Sequence, residues 1–286
     1  PGLNLGFNYQ HLGFQEEISR SFSKKYRYDL DETDKYAWNL NARLSDNLYV
    51  DYIGSYYKTG FEKHYDSSEK SYEGTDQAYY KNFANLRYET SAFRAKAFGN
   101  YDEMQREEYT DPDEPDDKNK NYNYGLEGDY KFQASGWDVN MGADWIYRGA
   151  DYNNQYGKHY RNDYAVFLQV KKTFPDRLIV TVGARKQFID GASGTKDYDK
   201  FLPSFGLTFI ATDKLNLFAN AGKAFRAPTF NNQYYDSSFL KGNPNLGPEE
   251  GWTYEAGIKY DINALRARLS AFYMAYADKI EVDRSQ

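Results

Sequence analysis

The feature that most constrains this chain is a two-residue alternation of apolar and polar side chains, sustained for ten residues and more at a time. Trp137, Val139, Met141, Ala143 and Trp145 alternate with Asp138, Asn140, Gly142 and Asp144. Leu3, Leu5, Phe7 and Tyr9 do the same near the start, and Leu265, Ala267, Leu269, Ala271 and Tyr273 near the end. Successive Cβ atoms of a strand point to opposite faces, so each run predicts a strand with one apolar and one polar face. Helical spacing is nearly absent. The runs are about 10–13 residues long, whereas strands of ordinary domains average about 5–6. That length suits a tilted strand crossing an apolar band roughly 25 Å tall.

Connections between the runs come in two kinds. Short turns fall near Ser45-Asp46-Asn47, Glu89-Thr90-Ser91, Ala134-Ser135-Gly136, Pro175-Asp176, Thr212-Asp213 and Asn263. Between them lie long polar segments at 18–34, 62–76, 103–120, 148–162, 189–200 and 227–251, read as loops. Short turns on one side and long loops on the other are the pattern of an outer-membrane barrel. The fold class expected is therefore all-β, an antiparallel transmembrane β-barrel with about thirteen strands, the first near 3–14 and the last near 265–283. Bacterial single-chain barrels close with an even strand number. Residues 1–286 are accordingly expected to be the interior portion of one barrel, with terminal strands lying outside this sequence.

Composition agrees. Aromatic residues make up 19% and all hydrophobic residues only 40%, with 30 Tyr. A soluble core is built mainly from Leu, Ile and Val, and a disordered chain is poor in aromatics. Tyr and Trp gather at strand ends, at Tyr36/Trp38, Tyr122/Tyr124/Tyr130, Trp137/Trp145/Tyr147 and Tyr254/Tyr260. A ring with one polar edge fits the lipid–water boundary. No run approaches the length of a transmembrane helix. Cysteine is absent, and His11, His64 and His159 are isolated, so no metal site, cofactor or thiol chemistry is expected. A net charge of -6 gives no footprint for nucleic acid. The Pro1-Gly2-Leu3-Asn4 start has no signal-peptide pattern, and is expected to be a mature start or a cut inside something larger.

One region carries a resemblance. The strand Leu217-Phe218-Ala219-Asn220-Ala221-Gly222-Lys223-Ala224 runs into Phe225-Arg226-Ala227-Pro228, and a second box reads Asn243-Pro244-Asn245-Leu246-Gly247-Pro248-Glu249. Tyr254-Glu255-Ala256-Gly257, Leu269-Ser270-Ala271-Phe272-Tyr273 and Asp278-Lys279-Ile280 follow in order. This resembles the TonB-dependent outer-membrane receptor family over about 65 residues of the chain; upstream only the rhythm of strands and loops agrees. The resemblance implies a barrel of about 22 strands around an N-terminal plug that this sequence does not contain. It implies bacterial outer-membrane lipid and, through the missing plug, the TonB energy-transducing complex as partners, with a single copy acting as receptor. Within the boxes, Pro228 and Pro244 lack a ladder donor and fit where a strand leaves the sheet. Asn243 and Asn245 suit a turn, and Arg226 at its strand end is placed to pair with Glu249.

The function implied is active uptake of a metal chelate without covalent chemistry, so no catalytic residue is expected. Ligand contacts are sought among the aromatics of the long segments: Tyr152, Tyr156, His159 and Tyr160, and Phe230, Tyr234, Tyr235 and Phe239 between the boxes. A ferric siderophore is the cargo expected first, with Lys158, Arg161 and Lys241 as basic groups able to meet an anionic chelate. Cobalamin is the alternative, then haem or a passive porin. Residues 229–242 hold no His, which speaks against haem. The acidic run 111–117 reads as a solvated loop tip rather than a calcium site. An outer-membrane hydrolase would need a Ser and a His on neighbouring strands, and the three isolated His residues argue against it.

Overall fold

The computed structural model describes residues 2–21, 24–65, 71–108, 116–175, 177–191, 195–237, 240–262 and 265–281. The strands are β1 (Gly2–Leu12), β2 (Gln15–Ser21), β3 (Lys24–Leu30), β4 (Thr33–Arg43), β5 (Leu48–Tyr65), β6 (Ser71–Glu89), β7 (Phe93–Glu108) and β8 (Asp117–Ala134). They continue with β9 (Trp137–Tyr152), β10 (Gly157–Thr173), β11 (Leu178–Asp190), β12 (Tyr198–Thr212), β13 (Leu215–Arg226), β14 (Glu249–Ile262) and β15 (Leu265–Ala277). A five-residue helix, α1 (Phe230–Tyr234), stands between β13 and β14.

Strand order follows the chain from β1 through β4 to β15. The β2–β3 hairpin lies off this path, with β3 pairing to β5. Thirteen strands therefore follow one another in the main ladder, the number the alternation predicts. The short turns at Ser45-Asp46-Asn47, Glu89-Thr90-Ser91, Ala134-Ser135-Gly136 and Thr212-Asp213 fall where expected, while Asp176 and Asn263 lie outside the described residues. Ser135 and Gly136 have φ of 52° and 75°, the two left-handed residues that let a two-residue hairpin follow the twist of its strands.

Among the described residues, much of the long polar segments is strand rather than loop. β5 runs on to Tyr65 before β6 begins at Ser71, and β9 reaches Tyr152 before β10 starts at Gly157. Residues 18–34 are largely occupied by the β2–β3 hairpin. A ladder is held by backbone hydrogen bonds, which do not require an apolar side chain, so strands extend past the band in which alternation is apolar. Residues 227–248 differ, because Pro228, Pro244 and Pro248 withhold three backbone donors from any ladder there.

By compactness the chain divides into two units: 1–88 with 96–126 and 147–160, and 89–95 with 127–146 and 161–286. In the first, register sets side chains in rows. Tyr9, Tyr36, Tyr56 and Tyr80 are consecutive cross-strand partners, with ring centroids 5.3, 6.3 and 4.8 Å apart. One step beyond this row the partners turn polar, as His11, Asp34 and Lys58. On its apolar side lie Phe7 and Trp38, then Leu5 and Leu40. Trp38 lies on Gly54, where an added Cβ would sit 2.3 Å from the indole nitrogen. Gly54→Val is therefore expected to destabilise the full-length receptor by about 1–3 kcal/mol through overpacking. Its urea unfolding midpoint checks this; an unchanged midpoint would mean the indole moves aside freely.

In the second unit the two faces separate as cleanly. Phe205, Ala221, Tyr254 and Tyr273 are successive partners on one face, and Phe209, Leu217, Ile258 and Leu269 form the next such row but one. The other face is polar. Arg185 reaches both oxygens of Asp144, at 2.8 and 2.9 Å, and also bonds Gln187. Arg94 pairs with the buried Asp129. Phe218 is buried there, with Lys259 and Arg268 over its ring at 5.2 and 4.9 Å.

Among the described residues of the strands the buried apolar side chains include Ala150, Ala165, Ile189 and Phe218, whereas Leu5, Phe7, Phe205 and Leu269 are exposed. In a water-soluble domain such apolar rows would be covered by a second layer. Here they remain open along most of their length.

Candidate functional site

The candidate residues fall in two clusters, one in each unit. The first is built on the tight turn between β9 and β10. Gly157, at φ 72°, lets the chain reverse after Tyr156. Tyr152 and Tyr156 stack at 4.8 Å and 17°, and His159 lies 5.8 Å from the Tyr156 ring. The His159 Nε2 is 2.8 Å from the Tyr156 carbonyl oxygen. Burial, followed by the neighbouring Tyr152, pushes the Tyr156 phenol above its ordinary pKa. It is therefore a neutral hydrogen-bonding group at physiological pH.

Amides fix this turn to the start of β8. The Lys118 N–H donates to Asn153 Oδ1 at 2.6 Å. Asn153 and Asn154 both donate to the Asp116 carbonyl oxygen, and Asn154 also to Asp117. The Asn121 amide donates to the Tyr152 hydroxyl at 2.9 Å. Asp117 in turn faces Arg106, which also pairs with Glu108. Tyr160 does not join this group. Its ring stacks with Tyr147 at 5.8 Å, and Tyr147 stacks with Tyr124 at 4.8 Å. Tyr160 and His159 are adjacent on one strand and so point to opposite faces. Of the four residues singled out here, three come together and one does not.

The second cluster spans the two boxes. β13 ends at Arg226, and Arg226 Nε and Nη2 lie 2.8 and 3.0 Å from the two carboxylate oxygens of Glu249, its register partner on β14. Glu249 also accepts the Ile280 N–H at 2.7 Å. One carboxylate thus joins the ends of β13 and β14 to the segment after β15.

Pro228 is fully buried, and Thr229 then caps α1. The Asn232 N–H donates to the Thr229 hydroxyl, while Asn232 Oδ1 accepts from the Thr229 N–H, a reciprocal capping box. Gln233 is the buried residue of the helix. The chain returning at Gly242 presses close: an added Cβ there would lie 2.6 Å from the Gln233 backbone. The Gly242 N–H donates to the Tyr235 carbonyl and the Asn243 N–H to that of Asn232. Asn243 Oδ1 accepts from the Asn245 N–H, and the Leu246 N–H donates to the Asn243 carbonyl, closing the turn of the second box. Pro248 is buried where β14 begins, while Pro244 and Asn245 are exposed.

Phe230, Tyr234 and Tyr235 are thereby brought together on and beside one short helix; Phe239 lies outside the described residues. Of the three basic groups expected to face an anionic chelate, Arg161 points into the protein. It is 3.1 Å from the buried Asp163, donates to the Pro228 carbonyl at 2.8 Å and lies 5.7 Å from the Phe230 ring. Lys241 lies 3.8 Å from Asp236. The Thr-x-x-Asn spacing of the cap and the same-face spacing of Arg161 with Asp163 were both visible in the sequence; their partner Pro228, 67 positions from Arg161, was not.

Comparison with known proteins places this antiparallel ladder and its two boxes in a family of receptor barrels. The family described as TonB dependent receptor-like, beta-barrel, matches residues 2–286, and the chain belongs to it. Barrels of this family are outer-membrane proteins of bacteria. The chain is 27% identical over 226 residues, 72% of its length, to the Vitamin B12 transporter BtuB of Photobacterium profundum, and covers 34% of that protein. It is 36% identical over 78 residues, 27% of its length, to the Vitamin B12 transporter BtuB of Vibrio vulnificus, covering 12%. The chain thus spans about a third or less of the curated relatives it matches.

Among solved structures, the siderophore receptor PirA from Pseudomonas aeruginosa matches with a TM-score of 0.65 at 16% identity, over 91% of this chain and 51% of that one. A double mutant of the Serratia marcescens hemophore receptor HasR, in complex with its hemophore HasA and heme, matches with 0.67 at 16%, over 96% and 50%. At such identity these likenesses concern the fold alone.

Proposed function

We propose that residues 1–286 are the interior portion of the barrel of an outer-membrane receptor that takes up a bulky metal chelate, and that cobalamin is the cargo its binding surface favours. On this reading the exposed apolar rows face lipid. A plug carried by the remainder of the protein couples one receptor copy to the TonB complex. The observation that carries the cargo reading is the character of the candidate surface. It offers phenols, an amide and an imidazole at Tyr152, Tyr156, Asn121 and His159, and in the other unit Arg161 is turned onto the buried Asp163 rather than toward an anionic cargo. The carboxylates of the same unit are themselves paired, Asp117 and Glu108 with Arg106 and Glu103 with Lys118. A strongly anionic ferric chelate gains little from a surface whose charges are already paired, whereas a large corrin ring edged with amides finds stacking faces and hydrogen-bond partners. The names of the two curated relatives support the same choice.

The reading is tested by titrating the purified full-length receptor with cyanocobalamin, ferric enterobactin and haemin. Cyanocobalamin is expected to saturate it in the nanomolar range, with ferric enterobactin weaker by about 100-fold, close to 3 kcal/mol. The reverse order would return the choice to a ferric siderophore, the second reading, which Lys158 at the same turn would serve.

A further inference from the structure

We propose that Arg161 is the positioning residue of the segment between the two boxes, and that the Arg161–Asp163 pair sets where Phe230, Tyr234 and Tyr235 stand. This rests on the receptor reading but not on the identity of the cargo.

Arg161 and Asp163 are two apart on β10 and therefore share its polar face. Their side chains are 13% and 6% exposed and 3.1 Å apart. The same row continues through Ile189 and Tyr198, the successive register partners of Asp163, so the pair sits on a packed floor. From that floor the guanidinium does two things at once. Nη1 donates to the carbonyl of Pro228 at 2.8 Å, and the group lies 5.7 Å from the Phe230 ring.

Pro228 has no N–H, and its carbonyl is the last backbone acceptor before the Thr229 cap. Fixing that oxygen and the Phe230 ring fixes both the start and the rotation of α1. The far side of the segment is already tied to the helix by the Gly242 and Asn243 amides. Without Arg161 the Pro228 carbonyl loses the guanidinium that reaches it, leaving the burial of Pro228 and Gln233 to hold α1, so the helix gains freedom to shift and rotate. A planar, fork-shaped cation suits the task, since it can be held by a carboxylate, stack on a ring and donate to a carbonyl together. Lysine offers a point charge and cannot do all three.

Arg161 thus acts through the aromatics rather than by touching cargo. The test uses the full-length receptor carrying Arg161→Ala, Arg161→Lys or Asp163→Asn, with insertion checked by heat-modifiable mobility. Chymotrypsin cleavage after Phe230, Tyr234 or Tyr235 is timed without ligand, and cyanocobalamin affinity is measured separately. Arg161→Ala is expected to speed cleavage and to weaken binding about tenfold, the scale of one lost charge-assisted hydrogen bond. Arg161→Lys is expected to fall between it and the wild type, and Asp163→Asn to follow Arg161→Ala. Should Arg161→Ala fail to insert, the lysine and asparagine variants carry the same comparison.

Unchanged cleavage in inserted variants would overturn the proposal. Weakened binding with unchanged cleavage would overturn it as well, since Arg161 would then be a direct contact. A wild type that binds no cyanocobalamin would defeat the cargo reading alone, because the cleavage comparison would still decide the role of Arg161.

Discussion

Full-length receptor carrying Phe230→Ala, Tyr234→Ala and Tyr235→Ala together is expected to bind its chelate at least about 100-fold more weakly while still assembling. Large rings at the centre of a recognition surface commonly contribute about 2 kcal/mol or more each, and such losses are not additive. A hundredfold, close to 3 kcal/mol, is thus a low expectation for three. Assembly should survive because none of the three belongs to a strand. The residues that fix the segment also remain: Pro228 and Gln233 stay buried, and the Thr229–Asn232 cap is untouched. Equilibrium binding of cyanocobalamin and heat-modifiable mobility together decide the outcome. Unchanged affinity in an assembled triple variant would show that the cargo is recognised elsewhere, with the Tyr152–Tyr156–His159 cluster next in line.

The largest effect on stability is expected from Arg185→Ala. It leaves the Asp144 carboxylate, 11% exposed, without the two hydrogen bonds at 2.8 and 2.9 Å that balance its removal from water. Stranding one member of a buried pair costs about 3–5 kcal/mol. Arg185 itself is 35% exposed, so solvent screens part of the attraction and about 3 kcal/mol is the better expectation. The double variant Arg185→Met with Asp144→Leu removes both charges and should recover most of the loss. Urea unfolding of the detergent-solubilised receptor provides the measurement. A single variant as stable as the wild type would mean that water reaches Asp144 and replaces the guanidinium.

These expectations draw on two kinds of information. The strand rhythm was legible because alternation is local: Trp137 to Trp145 can be read as a two-faced strand without knowing its neighbours. The turns were legible for the same reason, since Ser135-Gly136 needs only its own backbone freedom. The placement of Tyr160 is also a local signal. The residue has the parity of Tyr164 and Val166, which places it on the apolar face, apart from His159. The extent of the polar segments is not legible in the sequence for a different reason. Polarity marks where the apolar band ends and does not mark where the ladder ends, so β5, β6, β9 and β10 continue into what looked like loops.

The sequence by itself determined an antiparallel ladder of thirteen strands in chain order, its apolar and polar faces, and the two boxes that mark its family. Each of these follows from residues within a strand or a turn of one another. Only the tertiary structure decided what the polar side chains bind. Arg161, a cation beside a loop in the sequence, turned out to be held by Asp163 and to grip a carbonyl 67 residues away. Glu249 proved to serve both Arg226 and the Ile280 amide. A charged group of long reach has many partners within its radius. The winner is set by which strands the register brings alongside it and how far each side chain is removed from water, and neither is written in its local sequence.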